Sequence, residues 1–202
     1  ECEGCGVCVY FCPEKAIDFP VKTCGEWFIS DTRFGPMIHA RLGIAEENSG
    51  KLVTLVRRET MELAERKRLD LIITDGPPGI GCPVIASIGG ASAVLIVAEP
   101  SVSGLHDMER VAQLAAHFKV PAMVCVNKFD LNLDQTQAVE RLAKEKGIDA
   151  LGRVPFDPVF TRAMIQGKTI FEYNSGSQAG SAVEQLWEQV NRTLAANGQG
   201  GL

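Results

Sequence analysis

Cys2-x-x-Cys5-x-x-Cys8-x-x-x-Cys12-Pro13 gathers four cysteines into the first thirteen residues of the chain. Three thiolates at this spacing let a short loop wrap one face of a cubane [4Fe–4S] cluster. The fourth, ahead of proline, points away from that face and ligates a neighbouring cluster in two-cluster proteins. Gly4 and Gly6 suit a backbone that passes close to sulfur and turns through positive φ. A zinc site would set a distant second pair against a CxxC, and no such pair exists here. Cys2, Cys5, Cys8 and Cys12 are therefore the expected metal ligands.

A second constellation lies further along. Leu69-Asp-Leu-Ile-Ile-Thr-Asp75-Gly-Pro-Pro-Gly79 reads as an apolar strand delivering a carboxylate at its end. Asp75 there suits a water of a Mg²⁺ shell, and the Gly79 amide suits a γ-phosphate. Val124-Cys-Val-Asn127-Lys128-Phe-Asp130 ends another apolar run with the residues that read a nucleotide base. Val154-Pro155-Phe-Asp157 ends a third, with a loop that would close over the same base. Ligand-competent residues on several strand ends are what a nucleotide site in an open α/β sheet requires.

The elements that must position these residues follow from periodicity. Short apolar strands are expected at Leu52–Val56, Leu69–Thr74, Ser92–Ala98, Pro121–Val126 and Ala150–Val154. They alternate with helices at Arg58–Lys67, Met108–Phe118, Gln135–Lys146 and Ala182–Leu194. That alternation predicts βαβ units: an α/β fold with a mostly parallel sheet and helices on both faces. Asn174–Gly180 reads as a connector and Asn197–Leu202 as a frayed tail. Hydrophobic residues make up 46% and charged residues 22%, ordinary values for a globular protein. A net charge of −5, without a clustered Lys/Arg tract, argues against nucleic acid as a partner. The longest apolar runs are too short to span a bilayer. Free thiolates suit a reducing compartment, so a cytoplasmic protein is expected.

Together, Asp75-x-Pro-Pro-Gly79, Glu99-Pro-Ser-Val-Ser-Gly-Leu-His-Asp107, Asn127-Lys-x-Asp130 and Pro155-Phe-Asp157 resemble the MinD/ParA/Mrp group of P-loop ATPases. More closely, the chain resembles those MinD-related ATPases that carry an inserted two-cluster ferredoxin domain. Arg33–Arg41 and Glu47–Val53 resemble the segment by which that insert returns to the sheet. The resemblance implies a partial ferredoxin-like segment over 1–36 and a nucleotide-binding domain over 37–202. It also implies ATP, Mg²⁺, a homodimer, and coupling of hydrolysis to electron transfer with a redox partner. The alternative is an Mrp-type iron–sulfur carrier or scaffold that serves an apo target.

One departure is large. No G-x-x-x-x-G-K-[ST] occurs, and Ser49-Gly50-Lys51-Leu52 is the nearest approach to that Walker A loop. The chain opens at Glu1 with the cysteine loop immediately behind it, so it reads as the C-terminal portion of a longer protein. On that expectation the phosphate loop, the first strand and a fourth cluster ligand lie upstream, and the piece alone does not hydrolyse ATP.

The base-reading residues leave two nucleotides open. A carboxylate such as Asp130 accepts from N1–H and N2–H of guanine, while the family resemblance implies adenine, with Asn127 on the base. Of the other cysteines, Cys82 lies past the Pro-Pro-Gly turn where a switch would run, and Cys24 is an alternative cluster ligand. Both are read as packing residues, and Cys125 as core. His39, His106 and His117 show no ligand pattern, and Trp27 and Phe28 are read as packing the cysteine segment.

Overall fold

The computed structural model describes residues 5–44 and 49–196. The chain divides into two compact units between Gly76 and Pro77.

In the first unit a short helix, α1 (Val7–Phe11), follows the cysteine loop. An antiparallel hairpin comes next, β1 (Gly25–Thr32) and β2 (Gly35–Leu42), in a register that sets Trp27 opposite Ala40 and Phe28 opposite His39. Phe28 stacks on His39, whose Nε2 lies 2.9 Å from Ser30 Oγ, so this histidine is structural as expected. Trp27 stays partly exposed. The last element is α2 (Gly50–Lys67), which lies against β2.

Helix α2 overturns the expected strand at Leu52–Val56. Ser49 caps it, its Oγ accepting the Leu52 N–H at 3.2 Å. Leu52, Val56 and Leu63 then fall on one side at helical spacing, with Leu63 and Ala64 buried. A run rich in β-branched residues gives way because the cap and this longer period agree.

The strand expected at Leu69–Thr74 is also absent. These residues are irregular and exposed, Ile73 at 75%, and among the described residues no strand pairs with them. An apolar run becomes a parallel strand only beside a partner that takes up its N–H and C=O groups.

The second unit holds the parallel sheet. Its strands are β3 (Val94–Ala98), β4 (Ala122–Asn127) and β5 (Asp149–Val154), in the order β3-β4-β5. Helix α3 (Cys82–Ile88) precedes β3, α4 (Val102–His117) crosses from β3 to β4, and α5 (Leu133–Glu145) crosses from β4 to β5. After β5 come α6 (Val159–Ile165), α7 (Ile170–Asn174) and α8 (Gln178–Ala196). The connector expected at Asn174–Gly180 is thus partly helical, and the expected tail at 197–202 lies outside the described residues.

Alternation along β4 explains the layers. Val124 and Val126 face α4 and α5, in a core with Ile96, Met108, Ala112, Val139 and Ala143. Cys125 points the other way, buried, and sits in register with Gly152, which abuts Leu186 of α8. Helices therefore cover both faces, which makes this the α/β architecture expected. Burying each such aliphatic side chain is worth about 1.5–3 kcal/mol, enough to hold the strand ends in fixed positions.

Candidate functional site

The candidate site is the C-terminal edge of the β3-β4-β5 sheet. Asn127 closes β4 and Lys128 follows in the left-handed region, at φ 55°. That turn reverses the chain into a single 3-10 turn, Phe129–Leu131. The ammonium of Lys128 donates to a carboxylate oxygen of Glu99, just past β3. Asp130 Oδ1 accepts the backbone N–H of Phe156 at 2.7 Å, just past β5. The three strand ends are thus tied side to side through the Asn-Lys-x-Asp segment.

Packing braces the same segment from beneath. The Phe129 carbonyl accepts from Thr136 Oγ1 at 2.8 Å, and Thr136 is fully buried in α5. Arg153 on β5 lies over the Phe129 ring, 5.6 Å from its centroid. Its guanidinium forks onto both oxygens of Glu140, at 2.6 and 2.7 Å. The hydrogen bond to Glu140 raises the Arg153 pKa above the ordinary guanidinium value.

The other residues expected beside a base lie on the same edge. Pro155 is buried behind β5. Asp157 Oδ1 accepts the Val159 N–H at 2.8 Å, across Pro158, just ahead of α6. Sequence reasoning had set Asn127, Lys128, Asp130, Pro155 and Asp157 beside one base, and the structure gathers them on one sheet edge. Asp75 ends the exposed run of the first unit, whereas Gly79 belongs to the second, half-buried, with φ +87°.

Glu99, Thr136, Glu140 and Arg153 were missed as site residues. One signal for Glu99 was in the sequence. Gly104, in Ser-Val-Ser-Gly, puts its backbone against the Glu99 carbonyl, and a Cβ there would collide with that oxygen. Its N–H also donates to Ser101 Oγ at 2.9 Å, capping α4. The motif is a device for packing the start of α4 onto the end of β3.

The thiol loop lies in the first unit. Gly6 adopts φ 73° and opens α1, and Cys12 closes that helix with extended backbone. Cys5 and Cys8 are exposed and Cys12 is half-exposed. The Ala16 N–H donates to Cys12 Sγ, 3.4 Å away. The donor set is soft and accessible, which fits an iron–sulfur cluster. Among the described residues no group of three His, Cys, Asp or Glu side chains converges as a metal site, and Cys2 lies outside them. Cys82 and Cys24 are exposed rather than packed. Cys125 is core, as expected, and burial pushes its thiol pKa up to about 11.

Comparisons with known proteins agree with this architecture. Residues 49–191 match the family described as ParA, NUBPL iron-transfer P-loop NTPase. An uncharacterized protein of Methanocaldococcus jannaschii is 26% identical over 159 residues, 79% of this chain and 52% of that one. The iron-sulfur cluster carrier protein of Pyrococcus horikoshii is 26% identical over 166 residues, covering 75% of this chain and 56% of that one. The chain thus spans about half the length of the curated relatives it matches. Among solved structures, the septum site-determining protein MinD of Pyrococcus horikoshii, complexed with Mg-ADP, superposes with a TM-score of 0.58 at 18% identity. That match covers 76% of this chain and 60% of that one. Among the described residues no helix is long and apolar enough to cross a membrane.

Proposed function

The chain belongs to the ParA family of NUBPL-type iron-transfer P-loop NTPases, and from that membership we propose that it is the working part of an iron–sulfur cluster carrier governed by a Mg-nucleotide. The observation that carries this reading is the exposure of Cys5 and Cys8 on the loop ahead of α1, in a chain of this family. A cluster held by accessible thiolates can be handed to an acceptor, whereas a resident electron-transfer centre is better kept from solvent. The name of the Pyrococcus relative also supports carriage over the electron-transfer coupling that the resemblance to ferredoxin-bearing ATPases implies.

On this reading the [4Fe–4S] cluster is cargo, and Cys2, Cys5, Cys8 and Cys12 are the thiolates that take and release it. The nucleotide is ATP. Asn127 faces the base, and the buried Pro155 with Asp157 sets the loop beside it. Asp75 holds a water of the Mg²⁺ shell, and the Gly79 amide faces the γ-phosphate. Lys128, held on Glu99, keeps the ends of β3 and β4 at a fixed spacing beside the base. The active form is a homodimer and the partner is an apo iron–sulfur protein.

The test is anaerobic reconstitution of the intact protein with iron and sulfide, followed by an apo [4Fe–4S] acceptor with and without Mg-ATP. Loss of cluster absorbance from the protein, matched by gain in the acceptor and altered by Mg-ATP, is expected. Cys8→Ser loads less cluster. A cluster that stays in place and cycles between redox states with the acceptor present returns the function to electron transfer.

A further inference from the structure

In guanine-binding sites built on Asn-Lys-x-Asp, the carboxylate accepts from N1–H and N2–H of the base and must present both oxygens to it. The structure gives the carboxylate of Asp130 a different partner. Its Oδ1 accepts the Phe156 N–H at 2.7 Å, across 26 residues of sequence. Nothing in this bond is local: it joins the loop after β4 to the loop after β5. The residues around it are committed in the same way. Lys128 is held by Glu99, the Phe129 carbonyl by Thr136, and the Phe129 ring by Arg153 on its Glu140 fork.

We propose that Asp130 is a positioning residue, which fixes the loop around Phe156 at the base end of the site and does not read the purine. This rests on the nucleotide site argued above and deepens it. With Oδ1 already taken up by the Phe156 amide, the carboxylate no longer offers both oxygens freely to a guanine edge, and purine selection falls to Asn127 and to the backbone of residues 155–157.

Two substitutions separate the roles. Asp130→Asn keeps an acceptor oxygen for the Phe156 N–H but replaces the other oxygen with a donor. Asp130→Ala removes both. A guanine-reading carboxylate changed to an amide rejects guanine and suits xanthine, whose 2-oxo group accepts where guanine donates. A positioning carboxylate changed to an amide alters neither preference.

The experiment uses the intact protein and its two variants, with equilibrium binding of Mg-ADP, Mg-GDP and Mg-XDP and amide hydrogen exchange at Phe156. Asp130→Asn is expected to stay within about threefold of wild type for each nucleotide and to leave Phe156 exchange unchanged. Asp130→Ala is expected to weaken the bound nucleotides about tenfold without changing their ratio, and to speed exchange at Phe156. A switch from GDP to XDP in Asp130→Asn overturns the proposal, as does unchanged Phe156 exchange in Asp130→Ala. If wild type binds none of the three, the nucleotide reading fails by itself, and exchange at Phe156 alone decides whether Asp130 positions the loop.

Discussion

Lys128 reaches from the end of β4 to the carboxylate of Glu99 at the end of β3, so two strand ends 29 residues apart in sequence share one ion pair. Both side chains are well exposed, Lys128 at 38% and Glu99 at 56%. Water and salt therefore screen the pair, and its worth to stability is below about 1 kcal/mol. A double-mutant cycle of Lys128→Met and Glu99→Gln, read by urea denaturation, is expected to give a coupling in that range. A coupling above about 2 kcal/mol would show a desolvated pair.

Gly104 makes a sharper prediction. A methyl group at this position meets the Glu99 carbonyl oxygen, which is backbone and cannot swing aside. Gly104→Ala is expected to lower stability by roughly 2 kcal/mol or more, although alanine is the better helix former by about 1 kcal/mol. The denaturation midpoint checks it, and a neutral or stabilising result would mean that α4 does not seat on the end of β3 as described.

Cys125 should behave unlike the other thiols. It is 1% exposed, while Cys5, Cys8, Cys24 and Cys82 are exposed. At pH 8 a thiol reagent is expected to label those four quickly and Cys125 only on unfolding. Its pKa is pushed up by burial from 9.0 to about 11, so the folded state favours the neutral thiol. The stabilisation is fully present below pH 9 and is lost as pH rises through about 11, amounting to roughly 3 kcal/mol. Cys125→Ala should flatten the fall in stability across that window.

Arg153 tests the bracing beneath the site. Its fork onto Glu140 uses both carboxylate oxygens, and its plane covers Phe129. Lysine keeps the charge but has neither fork nor plane. Arg153→Lys is expected to cost about 1 kcal/mol, since the pair is partly exposed. It should also broaden the NMR signals of the 3-10 turn at Phe129–Leu131. Unchanged signals would remove Arg153 from the support of the site.

Much of this was legible in the sequence, and the exceptions have physical causes. The strands expected at Ser92–Ala98, Pro121–Val126 and Ala150–Val154 were readable because each falls between helical patterns, and the central one, buried on both faces, is a continuous apolar run. Asn127 and Pro155 could be placed on one edge because strand ends carry ligands in such sheets. Leu52–Val56 was misread because β-branched residues also line one side of a capped helix. Leu69–Thr74 was misread because apolarity says nothing of whether a partner strand is at hand. The partner of Asp130 was not legible at all. It is a backbone N–H, which every residue but proline possesses, and only the fold selects the one on Phe156.

The exposed run at Leu69–Thr74 has a consequence for self-association. Leu71-Ile-Ile-Thr74 is a window of β-forming, uncharged, exposed residues, shorter than the about five to seven that stacking segments need. Asp70 and Asp75 bracket it with like charges, which act as gatekeepers against such stacking. Asp75 supplies one of these two charges, apart from the magnesium role proposed for it. Asp75→Ala removes one of the two charges, so a change in nucleotide binding in that variant is to be read beside its light scattering. Asp75→Glu keeps the charge while moving the oxygens, so it separates the two. The residue proposed for the ion is thus also one of the two charges that flank the run.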